Sequence, residues 1–304
     1  MRAVAGFALA LALALASGIG IATGAPPAWP ESLSGRLQHI KETRVVRLGY
    51  REGAVPFSYL GPDRKPVGYS LDLCHAIVAT IGDDLGGVPL AVEYVRVTPQ
   101  DRIEQVVSGA VDLECGATTN TAERRRQVAF SPVVYVTGTR LAVPRASALR
   151  DADGLRGRSV IVVRGTTNEA AMREVDRLRG LGANFIVADS YADAISLLAM
   201  GKGEALAADD ILLRGLLAET GRARDFRLVG EKLSFEPYGI MYPRDDPALA
   251  DDVERTLRAL AESREIAWIY DRWFVRPLPS GVRLNLPMSV ELRRSFELLG
   301  LPTD

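Results

Sequence analysis

The chain has 304 residues, with 37 Lys and Arg against 38 Asp and Glu. That near-neutral balance excludes the basic footprint of a nucleic-acid binder, and only two histidines, His39 and His75, exclude a histidine-rich metal site. The length allows two ordinary domains.

Arg2 is the only charge before Glu31, and an Ala- and Leu-rich run is followed by Ser17, Gly18, Ala22, Gly24 and Ala25. This charge, apolar stretch and small-residue site read as a cleavable signal peptide over residues 1–24, which implies secretion into an oxidising compartment. The apolar run is short for a membrane span, which needs roughly 20 residues. No cysteine lies near the cleavage site, so no lipid anchor is expected. Cleavage removes only Arg2 among the charges and leaves about 280 residues with a net charge of about −2. Cys74 and Cys115 either bridge or remain two buried thiols; the sequence leaves both open.

After a polar lead-in, residues 45–50 (VVRLGY) predict a strand with Arg51 just beyond its carboxyl end, where open α/β sheets bind ligands. Apolar residues at helical spacing predict a helix over 69–81, with Ser70 as its cap. A strand over 90–97 and a helix over 102–108 follow, and Arg102 sits at their junction. The stretch VDLECGATTNTAER begins as a strand, breaks at Gly116, and offers Thr118, Thr119 and Thr121 before a charged helical segment at 122–126. Backbone N–H groups and hydroxyls at such a turn, with the rigid fork of Arg124, match a carboxylate. The same residues also serve as an ordinary capped helix start, with Thr121 as N-cap.

From Leu149 the alternation restarts. A strand over 159–163 breaks at Gly165-Thr166-Thr167-Asn168 into a helix over 169–178, and hydroxyls again face a helix N-terminus. A strand over 184–188, a helix over 191–200 and a strand over 204–208 lead to Asp209 and Asp210, either of which caps the next helix. Residues 102–120 and 191–210 share one grammar of helix, glycine break, strand and polar site, which suggests two βα lobes of similar build. Residues 236–242 read as a strand returning to the first lobe. Asp246-Pro247 opens a helix, and the aromatic run 266–274 reads as core packing at helical spacing. Pro277, Pro279 and Pro287 mark an irregular C-terminal wrap.

The segments YREGAVPFSYLG, PVGYSLDLCHAIV, DLECGATTNTAERRRQVAFSPV, VYVTGTRLAV, GRSVIVVRGTTNEA, AADDILL, EPYGIMYPRDDP and DRWFVRPLP extend in order across almost the whole mature chain. They resemble the periplasmic amino-acid-binding proteins of ABC importers, family 3 solute-binding proteins, and within them the glutamate/aspartate-binding branch. The resemblance implies an α/β fold of two lobes, the type II periplasmic binding protein fold, each lobe a mixed sheet flanked by helices. Lobe 1 would hold residues 44–141 and 235–304, and lobe 2 residues 142–234. Two crossing strands, near 139–143 and 234–238, would form the hinge.

By the same resemblance Arg124 and Thr119 hold a ligand α-carboxylate, and Asp209 takes its ammonium. Arg51 and Arg102 attend a side-chain carboxylate, and Thr166 and Thr167 form the hydroxyl turn of lobe 2. Pro99 and Ala117 depart from the pattern, since relatives often have Ser there, and Tyr191 stands where some have His. Three arginines against one acid suit a ligand with two carboxylates and one ammonium, because each desolvated charge needs a partner. The expected ligand is therefore L-glutamate or L-aspartate, and the expected partner an inner-membrane ABC permease. A monomer is expected, with no cofactor, no metal and no chemistry. A periplasmic dehydratase of the same fold acting on prephenate or arogenate is the enzyme alternative, for which Glu114 and Glu169 are the available acids. A sensory receptor is the third reading.

Overall fold

A computed structural model describes residues 35–303. The leader expected over residues 1–24 lies outside them. Helix α1 (Gly35–Thr43) leads into β1 (Val45–Tyr50), and a small excursion follows through β2 (Gly53–Ala54), β3 (Ser58–Leu60) and β4 (Pro66–Val67). Then come α2 (Tyr69–Asp84), β5 (Ala91–Arg96), α3 (Arg102–Val107) and β6 (Leu113–Glu114). A single 3-10 turn, Arg124–Arg126, precedes β7 (Val128–Phe130), β8 (Tyr135–Thr137) and β9 (Thr139–Pro144). The second alternation runs β10 (Ser159–Val163), α4 (Thr167–Arg179), β11 (Asn184–Ala188), α5 (Tyr191–Ala199), β12 (Ala205–Asp209), α6 (Asp210–Glu219) and β13 (Phe226–Val229). The chain returns through β14 (Glu236–Tyr238) and β15 (Met241–Pro243) and ends in α7 (Pro247–Glu262), α8 (Glu265–Phe274) and α9 (Val290–Leu298).

Two five-stranded sheets result, ordered β5-β1-β6-β15-β7 and β11-β10-β12-β9-β13. In each, four strands run the same way and one, β15 or β9, runs antiparallel between the third and the last, so the two sheets share one plan. The repeated grammar of the sequence places β6 and β12 at matching central positions. Both central strands end in acids, Glu114 and Asp209, at the edge where the sheets face each other.

A separate ladder links the two passes between the sheets: β8 pairs antiparallel with β14, with Tyr135 opposite Tyr238. The first crossing strand is thus Tyr135–Thr137, earlier than expected, because Thr139–Pro144 is fully used by the second sheet. An aromatic cluster braces this ladder. The Phe57 ring meets Tyr135, Tyr238 and Phe274 edge-on at 4.9, 5.2 and 5.6 Å, and Phe274 stacks on Tyr270 at 4.3 Å. Each fully buried ring stabilises the fold by roughly 1.5–3 kcal/mol through area alone. The aromatic run at 266–274 is therefore core, although Trp268 is exposed.

Three local expectations need correcting. Gly68, not Ser70, stands at the N-terminus of α2, with φ 146°, and a Cβ there would strike the Phe57 carbonyl. The Ser70 hydroxyl instead donates to the Gly116 carbonyl at 2.7 Å. The charged segment at 122–126 makes only a 3-10 turn before β7 begins, although Thr121 Oγ1 does accept from the Arg124 N–H at 3.2 Å. The C-terminal wrap contains α9, capped by Ser289. The cysteine question resolves into a Cys74–Cys115 disulfide, which ties α2 to the segment after β6 with Cα atoms 6.3 Å apart.

The two sheet-bearing halves meet closely. Gln100 Nε2 donates to the carbonyls of Arg164 and Asp189 at 3.0 and 3.1 Å. On the same side, Gly215 of α6 lies against the Val55 carbonyl, where no Cβ would fit.

Candidate functional site

The site grows from strand ends. β1 delivers Arg51 to the cleft, and its N–H is fixed by Ser58 Oγ at 2.8 Å. Its guanidinium lies over the Tyr191 ring, 6.0 Å from the centroid, so a side chain of the first sheet rests on one of the second. Burial, then the Arg102 charge, pull Arg51 down to about 10, and it stays cationic at neutral pH.

Arg102 opens α3 and is buried at 3% exposure. Its Nη1 donates to the Ala117 carbonyl at 3.1 Å and to Thr118 Oγ1 at 2.8 Å, while its buried Nε has no partner among the described residues. Arg124 leaves the 3-10 turn and donates from Nη1 to the Thr119 carbonyl at 2.9 Å. Burial and Arg102 pull it, too, down to about 10.

Asp209 occupies the N-cap position of α6 yet makes no capping bond. Its carboxylate turns to Asn168 Nδ2, 3.0 Å away. Burial, then Glu236, push Asp209 up to about 7, while Tyr238, Asn168 and Arg102 act in the other direction. The Tyr238 hydroxyl neighbours this carboxylate and is otherwise unpartnered among the described residues. Burial, then Asp209, raise the Tyr191 hydroxyl, which keeps it neutral.

The two threonines of the second sheet diverge. Thr166 Oγ1 caps α4 by accepting from the Glu169 N–H and donates to the Val163 carbonyl, so its hydroxyl is committed locally. Thr167 Oγ1 reaches across the cleft to within 3.3 Å of Thr119 Oγ1. Arg51, Arg102, Arg124, Thr119, Thr167 and Asp209 therefore converge, and Thr166 stands behind them. A cavity of about 460 Å³ opens beside them, lined among others by Arg51, Thr98, Pro99, Gln100 and Tyr191.

The charge count of the sequence reading changes here, since Asp209 is not the only acid. Glu114 is fully buried at the end of β6; its Oε2 accepts from Thr118 Oγ1 at 2.7 Å, and among the described residues Oε1 has no partner. Gly116 leaves room for it, because a Cβ there would collide with Glu114 Oε1 and press on Arg51. Glu114 Coulombically favours the charged forms of Arg51 and Arg124, so it serves as their counter-charge from behind. Glu236 of β14 is 2% exposed and accepts from both Thr119 Oγ1 and Thr167 Oγ1. Sequence reasoning missed Glu236 and the linking role of Asn168. An acid at the start of a returning strand was the one available signal for Glu236. Chemically, the cluster offers guanidinium forks for two carboxylates and acids for one cation.

Comparison with known proteins follows the same line. The family model described as bacterial extracellular solute-binding proteins, family 3, matches residues 46–276. The L-glutamate/L-aspartate-binding protein of Pseudomonas aeruginosa is 39% identical over 280 residues, covering 91% of this chain and 92% of that one. The glutamate/aspartate import solute-binding protein of Escherichia coli is 34% identical over 262 residues, covering 86% and 87%. Among solved structures, an ancestral arginine-binding protein bound to glutamine superposes with a TM-score of 0.68 at 25% identity, covering 76% of this chain and 97% of that one.

Proposed function

The chain belongs to the bacterial extracellular solute-binding proteins of family 3, and from that premise we propose that it captures L-glutamate or L-aspartate in the cleft and delivers it to an ABC permease. One observation carries the reading: three buried arginines converge on a cleft whose far side presents Asp209. Arg124 and the backbone N–H of Thr119 take the α-carboxylate, Arg51 and Arg102 the side-chain carboxylate, and Asp209 the ammonium, with Thr167 closing from the second half. The lobes are residues 44–138 with 235–304, and residues 139–234, since β9 belongs whole to the second sheet and moves the expected boundary at 141 forward, and they close about the β8–β14 ladder. The protein works in the periplasm, as a monomer and without catalysis. The names of its relatives and the family support binding and delivery.

The test is a thermal-shift and calorimetric screen of the mature protein, stripped by unfolding and refolding, against the twenty amino acids plus prephenate. L-glutamate or L-aspartate should stabilise it by roughly 3–4 kcal/mol at 100–1,000 times the dissociation constant. A response to glutamine alone would replace the acidic ligand by a neutral one. A response to prephenate alone would favour the dehydratase, and no response would defeat the reading.

Binding should also release protons. Asp209, pushed up to about 7, is part protonated at neutral pH, and a ligand ammonium favours its ionised form. The groups facing it are Glu236, Tyr238, Asn168, Tyr191, Arg102 and Arg124. Affinity therefore rises with pH through about 7 and falls by up to about tenfold per unit below it. Calorimetry at pH 7 in two buffers of different ionisation enthalpy should show release of about half a proton. Equal heats in the two buffers would refute this.

A further inference from the structure

The ladder strand β14 carries a carboxylate with no task in the assignment above. Glu236 Oε2 accepts from Thr119 Oγ1 and Thr167 Oγ1, each at 2.6 Å, and Oε1 accepts from Ser234 Oγ at 2.6 Å. Ser234 Oγ lies 2.8 Å from Thr139 Oγ1, which accepts from Asn168 Nδ2 at 2.8 Å. Asn168 Nδ2 also reaches Asp209 Oδ1 at 3.0 Å. A continuous line of hydrogen bonds thus runs from one buried carboxylate to the other, and both act on Arg124.

A brace between the halves needs no charge here, since a neutral amide oxygen would accept from the same two hydroxyls. A carboxylate costs more. It is desolvated, and it repels Asp209. Among the described residues, no Lys or Arg forms an ion pair with either acid. Such an arrangement is offset when a cation comes between the acids. A primary ammonium suits it, because it has three N–H donors and a single oxygen of Asp209 satisfies one of them. The Thr119 and Thr167 hydroxyls spend their protons on Glu236 and keep lone pairs as further acceptors.

Resting on the acidic-amino-acid reading, we infer that Glu236 is the second carboxylate of the ammonium site, paired with Asp209, and that the pair makes the protein select amino acids over the corresponding dicarboxylic acids. A dicarboxylate without the amino group satisfies the arginines but leaves two buried like charges unrelieved.

The test compares L-glutamate with glutarate, its des-amino counterpart, by calorimetry on the mature protein and on Glu236→Gln. The variant should bind L-glutamate at least about 30-fold more weakly, the loss of one charge-assisted hydrogen bond of about 2 kcal/mol, while glutarate binding holds or tightens. Equal weakening of both ligands would show a brace between the halves and nothing more, and would overturn the inference, as would unchanged affinity for L-glutamate. If Glu236→Gln does not fold, Glu236→Asp carries the test, because withdrawing the carboxylate by one methylene should weaken L-glutamate more than glutarate, and equal weakening again overturns it. Unmodified protein that binds neither L-glutamate nor L-aspartate would overturn the parent reading, and this inference with it. Binding by the unmodified protein, with a variant that keeps its selectivity, overturns this inference alone.

Discussion

Arg124→Ala should weaken L-glutamate binding at least about 100-fold and remove most of the ligand-dependent stabilisation. The argument is one of pairing. The cleft desolvates the ligand's α-carboxylate, and deleting its partner leaves a buried charge uncompensated, a loss of about 3–5 kcal/mol. At 1.4 kcal/mol per tenfold in affinity, that is at least two decades. The same substitution should hardly harm the protein without ligand. Arg124 is itself desolvated and repelled by Arg102, so its removal relieves the cluster while costing one bond to the Thr119 carbonyl. Arg124→Lys should fall between, since it restores the charge without the planar fork. Calorimetry and a urea melt of each variant separate the two effects. Unchanged affinity in the alanine variant would remove Arg124 from the site.

Replacing both Cys74 and Cys115 by alanine should lower the stability of the free protein by about 4 kcal/mol, the chain-entropy value for a loop of this size. The bridge spans 41 residues and links α2 to the turn that follows β6. Against a typical domain stability of 5–15 kcal/mol that is a large fraction, so the urea midpoint should drop well below that of the native chain. A midpoint unchanged in the double variant would refute the bridge's contribution. The bridge also positions the site, because Cys115 stands between Glu114 and Gly116, the counter-charge and the residue that makes room for it.

Much of this was legible in the chain because local chemistry announces it. Arg51 stands just past a strand end and Arg102 at a helix start, and the helix and strand periods around them survive in the structure. The shared grammar of residues 102–120 and 191–210 became two sheets of one plan. What was not legible depended on approach between distant segments. Glu236 and Thr119 are 117 positions apart, and the return of β14 alongside Thr118–Asn120 brings them together. The disulfide likewise hinged on a Cα separation that no spacing encodes. Thr121–Arg126 had helical composition, yet tertiary pairing of β7 with β15 took the residues that would have continued the helix. Ser70 looked like a cap because its type is right, but the backbone there needs a positive φ that Gly68 supplies.

The strand order has a consequence for the sequence of events during synthesis. β6 and β7 are not paired with each other; β6 is held by β1, but β7 joins the first sheet only through β15, late in the chain. The second sheet draws all its strands from the unbroken stretch between Thr139 and Val229. A chain emerging from its amino end therefore has everything the later sheet needs before it can complete the earlier one. The first-made strands wait with an unfilled gap until Met241–Pro243 arrive, and long-range closures of that kind are slow and expose sheet edges meanwhile. Glu236 emerges just ahead of β15, so one late segment supplies both the missing strand and the buried acid of the ladder.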